Sequence, residues 1–195
     1  MPGPELVLAS RSPRRRQLLA ALGVPFAVIP PPPDEAVPPG LTPEAVAERL
    51  ALEKGTEVAR SLDPRHAVPT VLAADTVVVL DGAVLGKPAG PDDARRMLRA
   101  LRGRAHRVVT GVAALAGGRR EVAHTVTHVR MRAYTDAEID AYVASGDPLD
   151  KAGAYAIQHP GFRRQAGRDR LVRRGRDHGE GDAQGGQELA PPGRT

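Results

Sequence analysis

The chain has 195 residues, a length that suits one α/β domain with a sizeable core. It contains no cysteine, which excludes disulfides, thiolate zinc sites and a cysteine nucleophile and is compatible with a reducing compartment. The formal net charge is +5, but eight arginines and only five acidic residues follow Gln158. Because a basic tail carries this excess, and because two phenylalanines and three tyrosines offer few stacking surfaces, nucleic-acid binding is not favoured.

The N-terminus and the apolar segments indicate where the protein acts. The first residues have no basic flank followed by a long apolar run, so we expect no signal peptide. No later stretch is apolar over the length that a membrane span requires. We therefore expect a cytoplasmic protein without a membrane partner.

The first predicted unit is a strand over residues 5–9 that leads into a helix. Ser12 is a suitable N-cap for this helix, Pro13 fits its first position, and Gly23 fits its end. A second strand is predicted over residues 25–29, before a run of prolines. The chain thus begins with a strand that opens on a helix N-terminus.

This junction has the chemistry of a phosphate site. Free N–H groups at a helix N-terminus attract anions, and Ser10 and Ser12 add hydroxyl donors. Either Arg14 or Arg15 can bind phosphate oxygens through its planar guanidinium. The alternative is an ordinary capped helix with exposed arginines.

The middle of the chain contains the clearest strand. A helix is predicted from Thr42 to about Ser61, followed by a Val-rich strand over residues 70–80. The pair Asp81-Gly82 then predicts a tight hairpin.

Asp75 interrupts this otherwise apolar strand. A carboxylate in such a place is unfavourable unless it is paired, hydrogen-bonded or bound to a metal. Asp75 could bind Mg²⁺ or accept a proton from an attacking water. The alternative is a structural aspartate bonded to nearby backbone.

The last third of the chain divides into ordered elements and a tail. The predicted elements are a helix over 91–101, strands over 107–115 and 121–132 joined by Gly117-Gly118, and a helix from Thr135 to about Gly146. After Gln158 the apolar periodicity stops. We therefore predict a domain over residues 1–158 and a basic tail over 159–195 that is disordered or aberrant.

Three lysines stand out because all other basic residues are arginines. An ammonium is a compact point charge, which predicts that Lys54, Lys87 and Lys151 mark positions where a guanidinium does not fit. The alternative is chance in a composition dominated by arginine. Lys54 can also be a helix-surface residue paired with neighbouring glutamates. Glu35 follows the proline run on a loop, where most carboxylates are simply solvated.

Seven motifs occur in one order across residues 6–158: ASRSPRR, PDE, ERLALEK, AADTVV, LGKP, SG and LDKAGAYAIQ. Together they resemble the Maf family of nucleotide pyrophosphatases. The resemblance implies a mixed α/β fold with a twisted central sheet, flanking helices and a cleft between two lobes. That fold is similar to the fold of the inosine triphosphate pyrophosphatases.

The resemblance also implies an activity and a set of site residues. Nucleoside triphosphates would be hydrolysed between the α and β phosphates, with Mg²⁺ or Mn²⁺. Asp75 matches the general base, and Glu35 and Asp75 match the metal ligands. The matched substrate-binding positions are Ser10, Arg14, Arg15, Lys54, Lys87, Asp150 and Lys151.

The resemblance extends to a substrate preference. Arg15, Thr76 and Gln158 look like the subgroup that acts on dTTP and UTP, in which Thr76 and Gln158 would read the pyrimidine edge. The alternative function is a non-catalytic protein that binds nucleotides or nucleic acid, and a homodimer is left open as the assembly.

Overall fold

The computed structural model describes residues 5–32, 40–63, 69–156 and 174–175. The helices and strands are β1 (Leu6–Ala9), α1 (Pro13–Ala20), β2 (Ala27–Val28), α2 (Pro43–Ser61), β3 (Thr70–Leu80), β4 (Ala83–Leu85), α3 (Pro91–Leu101), β5 (Ala105–Ala116), β6 (Arg119–Arg130), α4 (Asp136–Ala144) and β7 (Arg174–Gly175). Two single turns of 3₁₀ helix, Asp147–Asp150 and Ala152–Ala154, follow α4 and were not predicted. Strand β7 lies within the predicted tail.

The strands form one mixed sheet in the order β2-β1-β3-β5-β6-β7, with β4 also paired to β3. Strand β1 is parallel to β2 and β3, whereas β3, β5 and β6 are antiparallel to one another. The predicted mixed α/β fold, with a central sheet and flanking helices, is confirmed. No helix within the described ranges combines the length and apolar character needed to cross a bilayer.

Both predicted hairpins have the turns that their glycines indicated. Asp81 and Gly82 have φ values of 51° and 82°, and Gly117 and Gly118 have values of 53° and 82°. Two consecutive residues with positive φ form a turn whose twist matches that of antiparallel strands. These local turns fix the registers of β3 with β4 and of β5 with β6.

The two faces of β3 pack against different helices. Alternate residues from Val71 to Val79 are buried against α2, whereas Val78 and Leu80 face α3 and α4. Because side chains alternate along a strand, Asp75 lies on the α2 face and Thr76 lies on the opposite face. The alternation therefore separates two neighbouring site residues by the thickness of the sheet.

Gly111 allows α2 to approach the sheet closely. It lies opposite Asp75 in the register of β3 and β5. A Cβ atom added at Gly111 would lie 2.3 Å from the backbone oxygen of Ala47 in α2. The backbone of the helix therefore lies directly over the glycine, beside the strand residue that carries the carboxylate.

His106 is buried on the face covered by α3 and α4, and its Nε2 atom lies 2.5 Å from the hydroxyl oxygen of Tyr155. Burial lowers the pKa of His106 to about 4. The unfolded chain, with a histidine pKa of about 6.5, therefore binds more protons at intermediate pH. The resulting stability is complete above the unfolded pKa and is lost as the pH falls towards the folded one.

We expect His106 to remove about 2 kcal/mol of stability between pH 7 and pH 5. Urea unfolding at the two pH values measures this loss. In the variant His106→Gln the difference between the two pH values should shrink by the same amount. His128→Gln, which changes an exposed histidine, should leave it unchanged. An unaltered pH dependence in His106→Gln would contradict the assignment.

Candidate functional site

The site lies at a gap along one edge of β3. Strand β5 occupies the other edge of β3 almost throughout. On the site edge, β1 pairs with residues 70–73 and β4 pairs with residues 78–80. Residues 74–77 therefore have no strand partner on this edge among the described residues, and β1 ends beside the gap where the chain turns into α1.

On one face of the gap, α2 brings Lys54 to Asp75. The Lys54 ammonium donates a hydrogen bond to Asp75 Oδ1 and forms an ion pair with it. Their side chains are only 15% and 13% exposed. A charged pair shielded to this extent interacts more strongly than a surface pair, so the carboxylate is held in one place.

The surface ion pairs of α2 use other residues. Glu53 pairs with Arg49 at 2.6 Å, and Glu57 pairs with Arg60 at 2.7 Å. Lys54 instead faces the sheet, because it lies on the stripe of the helix that packs against β3. Lys54 was predicted either to belong to the site or to pair with glutamates on the helix surface. Its contact with Asp75 agrees with the first of these predictions.

On the opposite face of the gap, Arg15 binds the exposed edge of β3. Its Nη1 donates to the carbonyl oxygen of Ala74 at 2.6 Å, and its Nη2 donates to Thr76 Oγ1 at 3.0 Å. Thr76 Oγ1 lies 3.1 Å from the hydroxyl oxygen of Thr110 on β5. Arg15, Thr76 and Thr110 thus form a hydrogen-bonded row across two strands.

The predicted phosphate-binding junction lies between these two faces. Ser10 is 4% exposed at the end of β1, and its Oγ accepts a bond from the N–H of Ser12 at 3.1 Å. Ser12 caps α1, as predicted, by accepting from the N–H of Arg15. Arg14 is exposed on the first turn of the helix, where its side chain can reach a ligand.

Lys87 and Lys151 lie on two segments that contact each other. The N–H of Gly153 donates to the carbonyl oxygen of Gly86 at 3.0 Å. Gly153 has a φ of 66°, and an added Cβ would lie 3.0 Å from Val78, so the segment packs directly on β3. Lys87 is exposed, whereas Lys151 is buried.

The Lys151 ammonium pairs with Asp150 Oδ1 at 2.6 Å and with Asp147 Oδ1 at 3.0 Å. Asp150 is thus a neighbour of Lys151, although 80% of its side chain is exposed. The structure therefore joins the predicted site residues in three groups, around Asp75, around Thr76 and around Lys151. Glu35 and Gln158 lie outside the described residues. Of the two predicted metal ligands the structure therefore describes Asp75, and of the two residues predicted to read the pyrimidine it describes Thr76.

The described residues do not gather three His, Cys, Asp or Glu side chains into a metal-binding cluster. Magnesium is bound in many phosphate sites by one or two carboxylates together with substrate phosphates. Asp75 offers one such carboxylate at the gap. The residues present therefore fit a divalent cation that arrives with a polyphosphate.

Sequence reasoning missed three residues that contact the site. Thr110 is a polar residue in an apolar strand, the same signal that drew attention to Asp75. Asp147 and Tyr142 gave no such signal, because an aspartate after a glycine and a tyrosine in a helix are both ordinary. Their contacts with the Lys151 segment depend on how α4 packs.

Known proteins resemble this chain over most of its length. The family described as Maf-like protein matches residues 5–167. The dTTP/UTP pyrophosphatase of Thermomicrobium roseum is 55% identical over 159 residues, which cover 81% of this chain and 71% of that protein. The dTTP/UTP pyrophosphatase of Moorella thermoacetica is 52% identical over 159 residues, which cover 80% of each chain.

Among solved structures, the Ham1 protein of Staphylococcus aureus aligns with 64% of this chain and 70% of that chain, with a TM-score of 0.44 and 19% identity. The family match spans most of the sequence and agrees with relatives that are about half identical to it over the aligned residues. On this basis the chain belongs to the Maf-like protein family.

Proposed function

We propose that the protein hydrolyses dTTP and UTP between the α and β phosphates, releasing a nucleoside monophosphate and pyrophosphate. The single observation that carries the proposal is the shielded contact between Lys54 and Asp75 at the gap in the sheet. The relatives named dTTP/UTP pyrophosphatase support the same reaction class and favour it over non-catalytic binding.

Asp75 acts as the general base in this proposal. A carboxylate within hydrogen-bond reach of a water orients it and accepts its proton as the oxygen attacks phosphorus. The phosphorus–oxygen bond between the α and β phosphates then breaks, and the bridging oxygen leaves with pyrophosphate. No nucleophilic side chain is needed, because phosphoryl transfer depends mainly on positioning and charge stabilisation.

The cations of the site would hold the triphosphate. Lys54 fixes the carboxylate while its positive charge lies beside the reaction centre. Ser10, Arg14, Lys87 and Lys151 supply the further donors and charges. Asp75, with Glu35, would hold Mg²⁺ or Mn²⁺, which supplies charge stabilisation for the phosphate oxygens when it is bound.

The base would be recognised on the opposite face of β3. Thr76 is fixed there by Arg15 and Thr110, so its hydroxyl has a defined direction. A site built to hydrogen-bond one base discriminates strongly against a base that cannot complete those bonds. Gln158 would be the second group that reads the pyrimidine edge.

We expect Thr76→Val to reduce the preference for dTTP over dATP by about tenfold. Valine keeps the shape of threonine but removes the hydroxyl that Arg15 and Thr110 bind. The ratio of kcat/KM for the two nucleotides measures the effect. The control is Thr125→Val, an exposed threonine opposite Thr110 in the sheet register. An unchanged ratio in Thr76→Val would remove this residue from base recognition.

A nucleotide panel tests the function itself. Purified protein is given each nucleoside triphosphate with Mg²⁺ or Mn²⁺, and both pyrophosphate and orthophosphate are measured. The proposal expects pyrophosphate and the monophosphate from dTTP and UTP. Release of orthophosphate instead would place the cleaved bond elsewhere, and binding without turnover would favour the non-catalytic alternative.

The cellular setting is also a proposal. The absence of cysteine suits a reducing compartment, and the substrates belong to the nucleotide pool of the cytoplasm. A homodimer stays a prediction, as does the division into a domain over residues 1–158 and a tail over 159–195.

A further inference from the structure

The ammonium of Lys151 uses all three of its donors within the protein. It donates to the backbone oxygen of Asp147, to Asp147 Oδ1 at 3.0 Å and to Asp150 Oδ1 at 2.6 Å. An ammonium has three N–H groups and no acceptor. The lysine side chain is 8% exposed, and its ammonium is held in place by two neighbouring aspartates.

The two aspartates differ in how firmly they are held. Asp150 is 80% exposed, whereas Asp147 is 35% exposed. On its other oxygen, Asp147 accepts a hydrogen bond of 2.8 Å from the hydroxyl of Tyr142. Tyr142 is buried in the apolar cluster between α3 and α4. Asp147 therefore connects a packed tyrosine to the ammonium, and Asp150 does not.

This arrangement lies beside the predicted phosphate-binding groups. Burial raises the pKa of Tyr142, with Asp147 acting in the same direction, so the hydroxyl stays a donor. The charge of Arg14, on the first turn of α1, acts in the opposite direction on this pKa. The segment after Lys151 also bonds to the loop that carries Lys87, through Gly153 and Gly86.

We propose that Asp147, held by Tyr142, is a positioning residue that fixes the Lys151 ammonium for a substrate phosphate. The inference rests on the proposed function. Asp150 is the exposed acceptor, and a phosphate oxygen can take its place on Lys151 without disturbing the two bonds to Asp147. The ammonium then binds the phosphate from a position already set by the protein, which lowers the entropy lost on binding.

The variant Asp147→Asn tests this role because two explanations give opposite signs. If Asp147 acted only as a negative charge, its removal would strengthen the binding of an anion. If it positions Lys151, its removal should weaken the binding of inorganic pyrophosphate with Mg²⁺ by about tenfold. Titration calorimetry measures this affinity without turnover. Tyr142→Phe, which removes one hydroxyl, should weaken binding in the same direction.

A double-mutant cycle shows whether the effect passes through the lysine. In a Lys151→Met background, Asp147→Asn should cause no further loss of pyrophosphate affinity, because the group it positions is gone. An additional tenfold loss there would overturn the proposal. If Lys151→Met does not fold, the same comparison is made between Asp147→Asn and the double variant Tyr142→Phe/Asp147→Asn. In that pair the tyrosine effect should vanish once Asp147 is replaced, and full additivity would overturn the proposal.

The control is Asp140→Asn on α4. Asp140 is exposed and pairs with Arg95 at 2.7 Å. The substitution therefore removes one negative charge from α4 without changing a group that binds Lys151. Its pyrophosphate affinity should match that of the wild type. Wild-type protein that binds pyrophosphate in an Asp147-dependent way but hydrolyses no nucleotide would refute the proposed function and leave this inference intact. Tighter or equal binding by Asp147→Asn would refute the inference alone.

Discussion

The variant Asp75→Asn should lose turnover of dTTP by about a thousandfold while it keeps most of its nucleotide affinity. Asparagine has the shape of aspartate but cannot accept the proton of the attacking water. Binding is expected to persist because the asparagine carbonyl oxygen can still face the cation, and because the groups that hold phosphate lie outside β3. The turnover number and the dissociation constant of a non-hydrolysable dTTP analogue test the two parts of this prediction.

Because Asp75 forms an ion pair with Lys54, the stability of the Asp75→Asn variant also has to be measured. Removing one charge from a shielded pair takes away the carboxylate that faces Lys54 and should destabilise the fold by about 2 kcal/mol. Urea unfolding shows whether the variant is still folded under assay conditions. The variant Lys54→Met/Asp75→Asn removes both charges, so it should recover part of this stability and remain inactive.

Asp81→Asn is the matched control for Asp75→Asn. Asp81 lies in the turn after β3, pairs with Arg104 at 2.7 Å and is exposed. Its positive φ is one that asparagine also tolerates. This variant should keep the wild-type rate. A folded Asp75→Asn protein with a rate within threefold of the wild type would remove Asp75 from the role of base.

Gly111→Ala should reduce the free energy of unfolding by about 3 kcal/mol. The added Cβ would lie 2.3 Å from the backbone oxygen of Ala47 and 2.6 Å from the backbone nitrogen of Glu48, so the helix itself has to move. Since α2 carries Lys54, its displacement should also lengthen the contact with Asp75 and lower kcat. Urea unfolding and steady-state kinetics measure the two effects.

Gly55→Ala on α2 is the comparison. Its added Cβ would meet Leu115 Cδ1 at 2.5 Å, which is the flexible end of a side chain, and Ala73 Cβ at 3.3 Å, which needs a shift of only a few tenths of an ångström. Alanine also favours a helix over glycine by about 1 kcal/mol, which offsets part of the crowding. We expect a net change of less than about 1 kcal/mol. Equal losses in the two variants would show that the backbone contact at Gly111 has no special importance.

Much of the fold could be predicted because its signals are local. The bounds of α3, Pro91–Leu101, coincide with the prediction, and α2 and α4 begin one residue after their predicted starts, Thr42 and Thr135, which cap them. Caps and tight turns depend on residues a few positions apart. The two 3₁₀ turns were missed because the small residues of that segment have no periodicity.

The candidate site could be predicted as a set of residues but not as an arrangement. Asp75 was identified from its own position in an apolar strand, and the lysines from their rarity. The contact of Lys54 with Asp75 spans 21 positions in sequence and depends on how α2 crosses the sheet. Likewise, the contact of Thr76 with Thr110 depends on the register between β3 and β5.

The sequence by itself determined the class of fold, the places where helices and strands begin and turn, and the types of side chain available for phosphate chemistry. Only the tertiary structure decided that Lys54 contacts Asp75, that Thr76 contacts Thr110 and that Lys151 is held by Asp147. The reason is that capping, turn formation and strand alternation are short-range effects. The contacts of the site instead depend on packing between distant segments, where a missing side chain such as that of Gly111 decides how closely two elements approach.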